Sequence, residues 1–507
     1  MTANSREDTP STHPAGARIW PWFVTQLGLA AGLCWINRDV LNHDGIAYLR
    51  IAEYYATWDT ERMISGYWGP LLSWLMALGF KLGFTQMLCA RLVMMLSATV
   101  FLAGGGRLLN AFNIKGSSRQ LGLALFAISS ATWSAQNISP DVLMAGLALW
   151  GLALFYEASK TTCWRAGIFW GLAYLAKPIA LPWVLLVLGA AAVKDLRRSL
   201  PNFRRGIVPG AVLLLIVGPW ITVLSLKYGH VTISTSGPIA HTLAGPTDVD
   251  RYHPTFVTLH QPEPGRITSW EDPTNLGYRP WSPFASGEYL RHQVTLVAAN
   301  TLKVLFIITT LVPFWPWVVR KWLRTRSFDN VATPLLLSIL LLALIYLPVY
   351  LTANEQRYFY VSLPLLWCAF AVASPTRLRL WFAITLFVTI ASIIRFSYPP
   401  RVANQEAHAL AGWLQAQGKS GPVAGSGLQR GGRTGLFLAW HLRQPWLGDD
   451  SNADALKLAK CGARLLVLRS DDARLAELKL VEGAHLLALP AGLTREITIV
   501  ETSGNFR

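Results

Sequence analysis

The chain has 507 residues, 52% of them hydrophobic and only 14% charged, with 22 tryptophans and a positive mean hydropathy. That balance excludes a soluble globule and points to a chain that crosses a membrane several times. The net charge of +17 invites a nucleic-acid partner, but the basic residues sit in short clusters between alternate apolar runs, which excludes one and reads as the bias of cytoplasmic loops.

The apolar runs fall near 19–37, 86–106, 120–135, 141–157, 166–176, 178–193, 207–226, 294–319, 332–352, 358–373 and 378–394. They approach or reach the ~17–25 residues of a spanning helix, so about eleven transmembrane helices are expected, the pair around Lys177-Pro178 being short. The clusters Arg107/Lys115/Arg119, Lys160/Arg165, Lys194/Arg197/Arg198/Arg204/Arg205, Arg320/Lys321/Arg324/Arg326 and Arg377/Arg379 mark one side as cytoplasmic. Residues 1–18 then lie in the cytoplasm, and an odd number of spans puts everything after about 395 outside. The run at 19–37 has no small-x-small cleavage pattern and reads as a retained first helix rather than a signal peptide.

The first external segment, 38–85, contains an amphipathic stretch (Ile46, Tyr48, Leu49, Ile51, Ala52, Tyr55) and a second apolar stretch that Pro70 opens and Gly83 closes. Both predict helices lying on the membrane surface. Residues 227–292 form a long external loop rich in Pro, Gly, Thr and His, a length that usually serves function. From about 400, GPVAGS, a helix near 452–461, ARLLVL, HLLAL and EITIVE predict a small α/β unit. The expected fold is an all-α polytopic membrane protein (19–394) with a small C-terminal α/β extracytoplasmic domain (395–507). Cys34, Cys89 and Cys368 fall in spans, Cys163 in a cytoplasmic loop and only Cys461 outside, so the outer domain has no disulfide of its own.

Sorted by side, the external mouth collects His43, Asp44, Glu53, Arg62, Tyr67, Trp68, Asp141, Lys177, Glu355, Arg357 and Tyr358. Ionisable groups at membrane depth are costly and tend to share a cavity, which makes this convergence a candidate site. Asp44 suits a helix N-cap, or a carboxylate presented with Tyr48 one turn later on the same face. Asp141 opens a span, where the helix dipole favours an acid. Lys177 reads as a snorkelling lysine or as a cation in the mouth. Arg357 is either neutralised by Glu355 or free to grip a phosphate with its planar fork. Arg91, early in the second span, is a further cation. The Asp248-Val249-Asp250 triplet is a weak match to a metal-holding acid pair, and the scattered His230, His241, His253 and His260 leave a divalent metal possible but unsupported.

A first span followed by HDGIAYLRIAEYY, then GPLLSWLMALGFKLG and CARLVMMLSA, resembles the GT-C glycosyltransferases, the branch of bacterial enzymes related to protein O-mannosyltransferases and lipid A aminoarabinose transferases. SPDVLMAGLALW, GLAYLAKP and EQRYFYVSLPLL are similar to that superfamily's second acidic loop, Lys-Pro hinge and Arg-Tyr helix; the likeness covers about 40–195 and 340–370. It implies an enzyme of the bacterial inner membrane that moves a sugar from a polyprenyl-phosphate donor to a lipid, glycan or protein acceptor on the periplasmic face, with inversion and no required cofactor. Asp44 would be the general base; Asp141, His43, Tyr48 and Trp68 would position substrates; Lys177, Arg357, Tyr358, Arg62 and Arg91 would hold the lipid phosphate. Two positions depart from the pattern. Gly45 stands where many relatives have a second acid, and Tyr67-Trp68-Gly69-Pro70 stands where the aminoarabinose branch has Lys-Pro-Pro, which argues against aminoarabinose specifically. A lipid or sugar transporter is the alternative reading, against which stands the lack of an internal repeat.

Overall fold

The structure, a computed structural model, describes residues 19–157, 163–196, 204–247, 258–324, 329–373, 377–426, 434–490, 492–493 and 496–503. The Asp248-Val249-Asp250 triplet and His253 lie outside the described residues. The helical body runs as α1 (Trp20–Ile36), α2 (His43–Ala56), α3 (Pro70–Lys81), α4 (Gln86–Ala111), α5 (Gly116–Gln136), α6 (Asp141–Glu157), α7 (Trp164–Ala176), α8 (Ala180–Leu196), α9 (Arg204–Tyr228), α10 (Ser236–Leu243), α11 (Gly287–Leu311), α12 (Trp315–Arg324), α13 (Asp329–Tyr346), α14 (Ser362–Ala373) and α15 (Leu378–Ala416). Among the described residues, three helices are long and apolar enough to cross a membrane: α4, the 206–228 part of α9, and α11. Parts of α8, α13, α14 and α15 are apolar but shorter.

Proline chemistry sets several boundaries. The apolar run at 294–319, expected as one span, is two helices: Pro313 offers no N–H and forces Val312 out of the helical region (φ −137°, ψ 76°), so α11 ends and α12 starts afresh. Lys177 is extended (φ −149°, ψ 122°) for the same reason, preceding Pro178 between α7 and α8. The run at 358–373 begins with a 3₁₀ turn, Gln356–Phe359, before α14. The boundary expected near 395 falls inside α15, a 39-residue helix that carries the chain from the body to the tail without a linker.

Of the two helices expected on the membrane surface, α3 leaves Trp74 and Leu78 exposed, while α2 is covered by protein. α2 is buried over nearly its whole circumference, from Asp44 to Tyr54, between α3 and the 3₁₀ turn Ser269–Glu271 of the long loop. A chain-distant loop supplies that cover, which no local pattern in α2 can announce.

The tail holds β1 (Val423–Ser426), α16 (Thr434–Leu442), β2 (Trp446–Asp449), α17 (Ala455–Ala459), β3 (Leu465–Arg469), α18 (Arg474–Leu478), β4 (His485–Leu486) and β5 (Ile497–Glu501). These strands form a five-stranded sheet in the order β2-β1-β3-β5-β4, with β1 parallel to β2 and β3, and β5 antiparallel to β3 and β4. An exposed edge strand invites pairing, and the long loop covers this one. Leu259 bridges Gly448, Thr268 bridges Trp446, the His260 N–H donates to the Leu447 carbonyl (2.6 Å) and the Trp446 N–H to that of Ile267 (2.5 Å). Gly448 permits the approach: its φ is +109°, and a Cβ there would run into the Thr258 carbonyl.

Gly448→Val is therefore expected to destabilise the protein by about 1 kcal/mol or more and to free the loop from the sheet. Limited proteolysis should cut the variant within 258–276 faster than the native chain; equal cleavage would mean the edge pairing does not hold the loop.

Candidate active site

Asp44 is placed by its neighbour Asn42. Asn42, not Asp44, is the N-cap of α2, and its side chain turns away from its own helix, accepting from the Ile138 N–H (2.9 Å) and donating to the Ile138 carbonyl (3.3 Å). That exchange pins the start of α2 beside the start of α6, so Asp44 and Asp141 come together. Gly45 fits the same junction: a Cβ there would lie 2.9 Å from Asn42 Oδ1 and 3.0 Å from Ile138 Cβ. A second acid at position 45 would have to displace the Asn42 side chain that bridges to Ile138.

The carboxylate of Asp44 is buried and has three partners. Arg357 Nη1 donates to Oδ2 (2.6 Å), Trp270 Nε1 donates to Oδ1 (3.3 Å), and His43 Nε2 lies 3.0 Å from Oδ1. Arg357 is shared: its Nε donates to Glu355 (2.7 Å) and sits 4.0 Å from Asp141. Asp141, 1% exposed, takes Lys177 Nζ at 2.5 Å, and that ammonium lies 3.9 Å from the centre of the Tyr358 ring. Three carboxylates (Asp44, Asp141, Glu355) thus face two cations (Lys177, Arg357) in one network.

Stacked rings hold the Arg357 segment. Tyr358 lies on Tyr346 of α13 (4.9 Å, 5°) and Tyr360 on Trp133 of α5 (3.8 Å, 4°), each pair contributing about 0.5–1.5 kcal/mol beyond its burial. A second aromatic group closes the opposite wall: Tyr67, Trp68 and Trp270 meet edge to face or tilted, and Trp68 Nε1 donates to the Trp270 carbonyl (2.7 Å). Between these walls lies a cavity of about 220 Å³, lined by His43, Asp44, Tyr48, Tyr67, Trp68, Asp141, Lys177, Trp270, Tyr346, Arg357 and Tyr358 among others.

Of the residues expected from sequence, His43, Asp44, Tyr48, Tyr67, Trp68, Asp141, Lys177, Glu355, Arg357 and Tyr358 line this cavity. Glu53, Arg62 and Arg91 do not. Arg62 pairs with Asp59 (3.1 Å) and lines a different cavity. Arg91 is buried, donating to the carbonyls of Asn37, Val40 and Ala135, so it braces the first external segment. Its guanidinium is spent on backbone groups that α1 and α5 leave open. Sequence reasoning missed Asn42, Trp270 and Tyr346. A signal existed for Trp270: Thr268-Ser269-Trp270-Glu271 is a capping box, with Thr268 accepting from the Trp270 N–H and Glu271 accepting from the Thr268 N–H. It fixes the turn that aims the indole at Asp44.

Burial alone would push the Asp44 carboxyl up, but His43 and the Arg357 guanidinium outweigh it and hold the group well below the usual carboxylate range. A depressed folded value stabilises the fold above the unfolded value of ~3.9, and that stability is lost as pH falls through the folded value. Arg357→Gln removes the main partner of a buried carboxylate and should cost about 3–5 kcal/mol at neutral pH, while shifting acid unfolding to higher pH. Thermal unfolding followed across pH 2.5 to 7 should show both effects; an unchanged acid limb would mean the pair contributes nothing.

No family model and no curated protein sequence matches the chain. Solved structures do. ArnT from Cupriavidus metallidurans bound to undecaprenyl phosphate aligns with a TM-score of 0.57 at 16% identity, over 95% of this chain and 98% of that one. The arabinofuranosyltransferase AftD from Mycobacteria aligns with a TM-score of 0.49 at 16% identity, over 97% of this chain but 40% of that one. The end-to-end likeness to ArnT gives this chain the fold of that protein.

Proposed function

We propose that the protein is an integral membrane glycosyltransferase that moves a sugar from a polyprenyl-phosphate donor to an acceptor hydroxyl on the periplasmic face. The observation that carries this reading is the meeting of Asp44, Arg357, Asp141 and Lys177 in one buried cavity. A second observation agrees. Back along α13 from Ile345 and Tyr346 lies an almost wholly apolar cavity of about 370 Å³, lined by residues such as Leu340, Leu344, Leu347, Ile308 and Trp322. A prenyl chain whose phosphate sat at Lys177 and Arg357 would find apolar wall along α13. ArnT, whose fold this chain shares, is described bound to undecaprenyl phosphate.

In this reading the donor phosphate competes with carboxylates for the two cations. As it approaches, it takes Arg357 from Asp44, and Asp44 loses the charge that suppresses its basicity. The freed carboxylate takes the proton of the acceptor hydroxyl as that oxygen attacks the anomeric carbon from the face opposite the phosphate. The anomeric C–O bond breaks, the configuration inverts, and the polyprenyl phosphate leaves with one more negative charge than it carried in the diester. Lys177 and Arg357 face that developing charge from positions already held by the fold. His43 and Trp270 keep the carboxylate aimed while its partner changes.

Asp44→Asn is expected to lower transfer from a radiolabelled polyprenyl-phosphate sugar by about 10²–10⁴-fold in purified, folded protein. Undiminished turnover in that variant would remove the base assignment. Lys177→Gln is expected to raise the KM for the donor far more than the KM for the acceptor, and the opposite pattern would remove Lys177 from the phosphate site.

A further inference from the structure

A second cavity, larger than the first at about 590 Å³, lies on the other face of α2. Arg50, Arg62, Lys81 and Arg443 line it as cations, against the carboxylates of Glu53 and Asp59. Glu53 takes both Arg50 and Arg443, and Asp59 takes Arg62 (3.1 Å). Four positive side chains face the two carboxylates that line this cavity, and the buried Glu271 carboxylate lies 4.0 Å from Arg50. The aromatic rings of Phe80 and Phe84 complete the wall, and Trp58, 70% exposed, stands under the Lys81 ammonium at 5.8 Å.

The backbone around it is strained in a telling way. Among the described residues only Trp58, Asn113 and Arg443 adopt a positive φ without being glycine, and two of the three flank this cavity. Trp58 (φ 59°) ends α2 and Arg443 (φ 52°) ends α16. Each occupies the left-handed closing position after its helix, where glycine is usual and a bulky side chain is costly. Asp59 N–H reaching the Tyr54 carbonyl (2.8 Å) and Gln444 N–H reaching that of Ala439 (2.9 Å) complete the two closing turns. Strain of this kind persists where a side chain's position is needed. Here it brings the Arg443 guanidinium from the tail to the cavity and sets the Trp58 indole beside Lys81 at its margin.

We propose that this cavity binds a saccharide bearing phosphate or carboxylate groups, and, resting on the glycosyl-transfer reading above, that this saccharide belongs to the acceptor. Guanidinium forks and an ammonium match phosphate and carboxylate oxygens, the carboxylates of Glu53 and Asp59 accept from sugar hydroxyls, and exposed rings pack on the apolar faces of a sugar. The segment from Gly265 to Trp270 joins the two cavities. The Gly265 carbonyl accepts from Arg50 Nη2 and from Tyr54 Oη (3.1 Å each), while Trp270 donates to Asp44. Occupation of the second cavity therefore acts on the chain that aims the Asp44 carboxylate.

Calorimetric titration of the full-length protein in nanodiscs with mannose 6-phosphate, glucuronic acid, mannose and inorganic phosphate tests this directly. Saturable binding of the two anionic sugars is expected, equal in the native protein and in Asp44→Asn, with none for mannose. The double variant Lys81→Gln with Arg443→Asn, which alters two exposed side chains and keeps a residue tolerant of positive φ at 443, should weaken that binding at least about tenfold. Absence of saturable binding, or equal binding by the double variant, overturns the proposal. Inorganic phosphate binding as tightly as the sugar phosphate overturns its saccharide part. Binding that persists in a protein without transferase activity leaves this site standing while the reading of the Asp44 cavity fails.

Discussion

Arg357 is held by Asp44 on one side and Glu355 on the other, within reach of Asp141, and the architecture around the mouth exists to make that arrangement affordable. Charges at the ends of apolar helices are costly unless each finds a partner. The chain meets this by bringing the start of α2, the start of α6, the junction of α7 with α8 and the 3₁₀ turn Gln356–Phe359 close to one another, so that acids and cations from four places neutralise one another. The extended Lys177 before Pro178, the stacked pairs Tyr346/Tyr358 and Trp133/Tyr360, and the Asn42 bridge to Ile138 all serve that one convergence. With three acids and two cations the network is nearly balanced at rest. An arriving anion therefore competes for partners rather than filling an empty positive site.

The long loop and the tail act as one unit. The loop covers the free edge of β2, and a few residues further on its capping box turns Trp270 onto Asp44. The same loop roofs α2, which explains why a helix with an amphipathic sequence is buried nearly all round. Packing on the far face of α2 differs in character. There Arg443, carried by the tail, reaches back to Glu53, so the sheet and the helical body share a charged cavity as well as a backbone pairing.

Much of the site was legible because acids and cations beside apolar runs, each with a bland explanation alone, are costly enough together to share a cavity, and ten of the expected residues meet in it. Arg62 and Arg91 were misplaced because charge and depth look alike whether a guanidinium faces a cavity, an aspartate or backbone carbonyls. Asn42, Trp270 and Tyr346 escaped notice because neutral side chains carry no such anomaly. Only the partner each one finds, far away in the chain, gives it a role.

By itself the sequence determined the class of the molecule, the helices and most of their ends, since hydropathy, proline and charge act within a few residues of where they stand. It also set acids and cations beside apolar runs, where each needs a partner. The tertiary structure alone decided which acid pairs with which cation, that a side chain at position 45 would press on Asn42 and Ile138, and that α2 separates two charged cavities. Those outcomes depend on contacts between residues as far apart as Asp44 and Arg357, and no local pattern encodes a distance across the fold.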